Sequence, residues 1–141
     1  MPARKAIFIT GAASGIGRAT AQHFAARGWF AGLADIDEAN LAETAALLPA
    51  GQSSQHIMDV RDRDAWHAAL IDFWAASGGR LDILFNNAGI ARGGLFENVT
   101  GADHDLLIDI NFKGVVYGAE AALPWLKKTP GSCCRTGVEQ A

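Results

Sequence analysis

Short apolar runs alternate with amphipathic stretches from residue 5 to about residue 128. Ala6-Ile7-Phe8-Ile9 and Trp29-Phe30-Ala31-Gly32-Leu33-Ala34 lack polar alternation, as strands covered on both faces do. Ser54–Met58 reads as a weaker third strand and Leu81–Phe85 as a fourth. Between them the apolar spacing turns helical. Ile16, Thr20 and Phe24 fall four residues apart and predict a first helix, from near Gly15 to Arg27, with that face on the sheet. Ser14 is its N-cap candidate and Gly28 its C′ residue. Asp37 opens a second helix that Pro49 and Gly51 stop. Asp62 opens a third, through Trp66, Leu70, Phe73 and Trp74 to Ser77. A fourth is predicted as one piece from Thr100 to Lys128, through Leu106, Leu107, Ile110 and Val115. Thr100 and Asp103 form an imperfect capping box at its start. Strands joined by helices imply an α/β fold, a parallel sheet with helices on both faces.

The first strand runs into Thr10-Gly11-Ala12-Ala13-Ser14-Gly15-Ile16-Gly17. A glycine-rich turn between strand and helix points backbone N–H groups at an anion, and the helix N-terminus adds partial positive charge. Gly11 suits the tight turn, Gly15 the close approach of a pyrophosphate, and Gly17 the packing of helix on strand. The spacing is G-x-x-x-G-x-G, and taken alone it also reads as an ordinary glycine-rich turn.

Asp35 ends the second strand, where a carboxylate can accept both ribose hydroxyls of an adenosine, or else it is a solvated aspartate near the next helix start. Its neighbour Ile36 is not basic, and neither is Ser14. A 2′-phosphate would meet the charge of Asp35 with no cation from these positions, which favours NAD over NADP. Asp59 ends the third strand. It reads equally as an acceptor for an adenine amino group or as a loop aspartate before a helix. Asn86-Asn87-Ala88-Gly89 follows the fourth strand, at the switch point of a sheet ordered 3-2-1-4, or else simply forms a turn.

The formal net charge of −3 gives no electrostatic case for nucleic acid or an anionic membrane. No apolar run reaches the roughly 18 residues that span a bilayer. Cys133 and Cys134 are adjacent, which suits neither a C-x-x-C motif nor a staple, so a cytoplasmic setting is expected. The four histidines show no metal-ligand spacing.

The glycine turn, Asp35, Asp59-Val60, Asn86-Asn87-Ala88-Gly89 and Asn111 together resemble the classical short-chain dehydrogenase/reductase family. The likeness implies a Rossmann-like doubly wound sheet over residues 1–128 and hydride transfer between NAD(H) and a small alcohol or carbonyl substrate. By resemblance, Gly11, Ser14, Gly15, Ile16 and Gly17 cradle the dinucleotide. Asp35 and Ile36 flank the adenosine ribose. Asp59 and Val60 contact adenine, and Asn87, Ala88 and Gly89 line the nucleotide site. Asn111 resembles the asparagine of the family's Asn-Ser-Tyr-Lys tetrad, where it perturbs a helix so that a backbone carbonyl holds a proton-relay water. Read without the family, Asn111 is an incidental polar residue in a helix.

The family's catalytic serine and Tyr-x-x-x-Lys find no counterpart. Tyr117 is the only tyrosine, and Ala121 stands four residues after it. Ser132 is followed by Cys133-Cys134-Arg135, not placed on an apolar strand. Residues 129–141 are expected to be an irregular tail outside the family pattern, produced by a changed reading frame or a premature stop. The expectation is a dinucleotide-binding unit inactive by itself. The alternatives are a non-catalytic binding module and a fragment without a function. An open edge along the fourth strand is expected to favour self-association or pairing with another chain.

Overall fold

The computed structural model describes residues 3–132; Cys133, Cys134 and the remainder of the expected tail lie outside the described residues. Strands β1 (Ala6–Thr10), β2 (Phe30–Asp35), β3 (Ser53–Ile57) and β4 (Ile83–Phe85) form one parallel sheet in the order β3-β2-β1-β4. Helices α1 (Gly15–Ala25), α2 (Glu38–Ala46) and α3 (Arg63–Ala76) make the crossovers. Beyond β4, a short 3₁₀ turn (Phe96–Asn98) precedes α4 (Gly101–Ile108), a π-helical turn (Asp109–Lys113) and α5 (Gly114–Lys128). The architecture is the expected Rossmann-like α/β fold.

Every residue of β1 is buried, because the strand has neighbours on both edges and helices on both faces. Successive side chains point to opposite faces. Phe8 joins Trp66, Phe73, Leu84 and Leu126 in the core beneath α3 and α5. Ile7 and Ile9 join Ala21, Leu33 and Leu41 beneath α1 and α2. Phe8 and Phe73 meet edge to face, with ring centroids 5.2 Å apart, a favoured aromatic geometry.

Three local expectations need correction. The fully buried face of α1 is Gly17, Ala21 and Ala25; of the expected Ile16, Thr20 and Phe24, Phe24 packs partly against the core. Helix and strand approach so closely that a Cβ on Gly17 would lie 2.1 Å from the Gly11 carbonyl oxygen. Only small side chains fit there, and Ile16 is 63% exposed. The fourth strand begins at Ile83 rather than Leu81. Ahead of it the Asp82 carboxylate accepts from Ala6 N–H at 2.8 Å, and the Thr129 hydroxyl accepts from Leu81 N–H at 3.0 Å. Side chains thus replace part of the ladder. The long fourth helix is broken by the π-helical turn at Asp109–Lys113, and Pro124 lies inside α5.

Thr100 and Asp103 do close a reciprocal capping box at α4. Asp37 and Asp62 cap α2 and α3 by accepting from backbone N–H groups. Ser14 occupies the N-cap position of α1, but its side chain makes no capping bond.

Candidate functional site

The carboxyl ends of the four strands open onto one cavity of about 530 Å³. Its floor is the glycine turn, represented by Gly11, Ser14, Gly15 and Ile16. Asp35 and Ile36 stand where β2 ends, Asp59 and Val60 where β3 ends, and Asn87, Ala88 and Gly89 where β4 ends. Four segments remote in sequence therefore meet because parallel strands all point the same way and β1 sits between β2 and β4. Gly17 and Asn111 do not line the cavity. Gly17 is buried against Gly11, and Asn111 is bonded to Ile90, which does line it.

The glycine turn is tied down on three sides. Ala12 N–H donates to the Ala34 carbonyl at 3.1 Å. Ala13 N–H donates to Asp35 Oδ2 at 3.1 Å, while Asp37 N–H donates to Asp35 Oδ1 at 3.1 Å. The Asn87 amide donates to the Thr10 carbonyl at 3.1 Å, and the Thr10 hydroxyl accepts from Asn87 and Ala88 N–H, each at 3.0 Å. These bonds join β1 to the β4 exit.

Gly15 has a positive φ of 53°, and a Cβ there would meet nothing within 4 Å. A side chain would project into open space at the start of α1, so the glycine leaves that room to a ligand. The first-turn N–H groups of α1 have no intrahelical partner, and no acidic side chain lies in that turn. This end of the cavity suits an anion. Asp35, half-buried with each oxygen taking one backbone N–H, keeps acceptor capacity for hydroxyl groups. A dinucleotide fits this donor and acceptor set: phosphate at the turn, a diol at Asp35, and apolar walls from Ile36, Val60 and Ile110.

Arg61 is a cavity residue that sequence reasoning missed. Its guanidinium grips Asp59, with Nε 3.0 Å from Oδ1 and Nη2 2.6 Å from Oδ2. Arg61 N–H also donates to Oδ1, at 2.9 Å. The bonds from Arg61 hold the Asp59 carboxyl below the usual carboxylate range, outweighing its partial burial. Asp59 is therefore largely engaged within the protein. A basic residue two positions after the strand-ending aspartate was the available signal. Ile90 and Ile110 were also missed as cavity residues, since neither belongs to a polar motif.

Asn111 sits in the π-helical turn and faces Ile90. Its Oδ1 accepts from Ile90 N–H at 2.9 Å, and its Nδ2 donates to the Ile90 carbonyl at 2.8 Å. π-Helical turns inside α-helices cluster at functional sites. Tyr117 lies away from the cavity, in α5, with the Arg63 guanidinium 4.0 Å above its ring. The Ser132 hydroxyl donates to the Leu126 carbonyl at the end of α5. Among the described residues, no group of three or more His, Cys, Asp or Glu side chains could hold a metal ion, and no helix is long and apolar enough to cross a membrane.

The family described as short chain dehydrogenase matches residues 5–137 of this chain. Probable oxidoreductase EphD of Mycobacterium tuberculosis is 39% identical over 117 residues, covering 82% of this chain and 20% of that protein. The 3-oxoacyl-(acyl-carrier-protein) reductase FabG of Thermotoga maritima is 37% identical over 127 residues, covering 88% of this chain and 51% of that protein. Among solved structures, a short chain dehydrogenase from Mycobacterium paratuberculosis bound to NAD matches with a TM-score of 0.80 at 33% identity. That match covers 85% of this chain and 49% of the other. The chain thus spans between a fifth and about half of the length of these relatives.

Proposed function

The chain belongs to the short chain dehydrogenase family, and from that premise we propose that it is the dinucleotide-binding part of an NAD(H)-dependent oxidoreductase acting on small alcohols or carbonyl compounds. The observation that carries this reading is the meeting of the glycine turn, Asp35 and Asn87–Gly89 around one cavity. Bound NAD would supply the hydride acceptor. The N–H groups of the turn and of the α1 N-terminus would hold its pyrophosphate. Asp35 would accept from the adenosine ribose hydroxyls, with Ile36 and Val60 as apolar walls. Asp59, with Arg61 gripping it, would border the adenine. Ala88, Gly89 and Ile90 would face the nicotinamide half, held by the clasp of Asn111 on Ile90.

NAD is proposed over NADP because Asp35 would repel a 2′-phosphate. The cations nearest in the sequence to this end of the site have other partners: Arg61 is engaged by Asp59, and Arg18 by Thr44 and backbone carbonyls. Titration of the 141-residue protein with NAD and NADP, followed by calorimetry, tests the reading. Tighter binding of NAD is expected; equal affinity, or none for either dinucleotide, would refute it.

Residues 1–141 are further proposed to turn over no alcohol without additional catalytic groups. Within them Tyr117 is packed under Arg63 and carries no lysine four residues on. A positioned general acid or base typically contributes about 10²–10⁴-fold, so a dinucleotide site lacking both should stay at background. Robust NAD reduction by the purified protein would overturn this.

A further inference from the structure

We infer that Thr44 is a positioning residue for Asp35, acting through the peptide bond between Ala12 and Ala13. This rests on the reading of Asp35 as the ribose-binding carboxylate. The peptide is held at both ends. Its carbonyl, that of Ala12, accepts from the Thr44 hydroxyl at 2.8 Å. Its N–H, that of Ala13, donates to Asp35 Oδ2 at 3.1 Å. In a trans peptide these two groups point in opposite directions, so fixing the carbonyl on the α2 side aims the N–H at Asp35. Ala12 and Thr44 have no exposed surface and Ala13 is 2% exposed. Leaving the Thr44–Ala12 bond unmade would strand a buried polar group without a partner.

Arg18 steadies the relay. Its Nε donates to the Thr44 hydroxyl at 2.9 Å, so the hydroxyl proton turns to carbonyl acceptors, of which Ala12 at 2.8 Å is nearer than Asn40 at 3.3 Å. Its Nη2 donates to the next carbonyl, Ala13, at 2.7 Å and to Asn40 at 3.1 Å. The Ala12 carbonyl is thereby held from α2 and the Ala13 carbonyl by Arg18 of α1. Asp35 is held on one oxygen by the relay and on the other by Asp37 N–H, so its free lone pairs keep a set direction. Discrimination between a ribose diol and a ribose lacking the 2′-hydroxyl depends on that direction.

The test compares the full chain with Thr44→Val, which keeps the shape and loses the hydroxyl, and Thr44→Ser, which restores it. Two quantities are read: exchange of the Ala13 amide by NMR without ligand, and the ratio of affinities for NAD and its 2′-deoxyadenosine analogue. In Thr44→Val, Ala13 exchange should rise, and the affinity ratio should fall by about fivefold, the size of one neutral hydrogen bond. Thr44→Ser should return both toward the parent. A purely structural role would lower Tm and weaken both dinucleotides equally, leaving the ratio unchanged; that result would overturn the inference. If Thr44→Val does not fold, Arg18→Met should show the same two changes at smaller size, and parental values there would refute the relay. If the parent binds neither dinucleotide, the cofactor reading fails, while Ala13 exchange still decides whether the relay exists.

Discussion

Asn111 clasps the backbone of Ile90, donating to its carbonyl at 2.8 Å and accepting from its N–H at 2.9 Å. The two residues lie in different elements, one in the π-helical turn and one in the β4 exit. A side-chain amide that satisfies both backbone groups of one residue sets the orientation of that residue on the cavity wall. Asn111→Leu should free both groups. Each bond is worth about 0.5–1.5 kcal/mol, so a loss of about 1–2 kcal/mol in local stability is expected. Faster amide exchange at Ile90 and Ala91, with β1 unchanged, would report it; unchanged exchange at Ile90 would show that the clasp is dispensable.

Cofactor preference is expected to reside at the end of β2. Asp35→Ser with Ile36→Arg removes a carboxylate and adds a guanidinium where a 2′-phosphate would lie. The preference for NAD over NADP should narrow or reverse. Calorimetric titration of both dinucleotides checks it, and a preference unchanged from the parent would place the determinant elsewhere.

Asp82 is a stability residue far from the cavity. It is buried, accepts from Ala6 N–H at 2.8 Å and pairs with Arg80 through bonds of 2.8 and 2.7 Å. Asp82→Ala would leave the Ala6 N–H and the Arg80 guanidinium without that partner. A cost of about 3 kcal/mol is expected, at the low end for a broken buried pair because Arg80 keeps some contact with water. Urea unfolding would measure it as a lower midpoint at constant slope; a midpoint equal to the parent's would contradict the assignment.

Acid should weaken the fold through His56. Burial against Phe8 and Phe73 pushes its pKa below the ordinary histidine value, opposed by the charge of Asp72. The unfolded chain then binds a proton more readily than the folded one. Stability is full above the unfolded value, near pH 6.5, and declines as pH falls from there toward the lower folded value. His56→Gln should flatten the loss of Tm between about pH 7 and pH 5. An equally steep loss in the variant would assign it to other groups.

Self-association is expected through the β4 side of the molecule. Among the described residues β4 pairs only with β1, and Ile108 and Phe112 are 51% and 67% exposed on the helical segment beyond it. Open strand edges and apolar patches invite partners. Light scattering should show species larger than a monomer, reduced by Phe112→Glu. A monomer at high concentration would contradict this.

Much of this molecule is written in local order. Apolar runs spaced by helical patterns specify a parallel sheet, because each helical crossover returns the chain to the same end of the sheet. Gly11 to Gly17 could be read as a phosphate-holding turn from its place between strand and helix, and Asp35 from its place at a strand end. Those readings depend on neighbours in the chain, so periodicity and turn chemistry carry them. Other features depend on distances between segments that the sequence leaves far apart. The close fit of Gly17 on Gly11 selects Ala21 and Ala25, not Ile16, as the buried face of α1. Thr44 meets the Ala12 carbonyl only because α2 packs beside the turn. Without the family likeness Asn111 reads as an incidental polar residue, and only α4 and the π-helical turn bring it to Ile90. Asp59 and Arg61 are near neighbours in the chain, yet their pairing depends on rotamers set by the fold around them. Hydrogen bonds are short-ranged and directional, so a pattern of residue types can locate a strand end but not the partner its side chain will find.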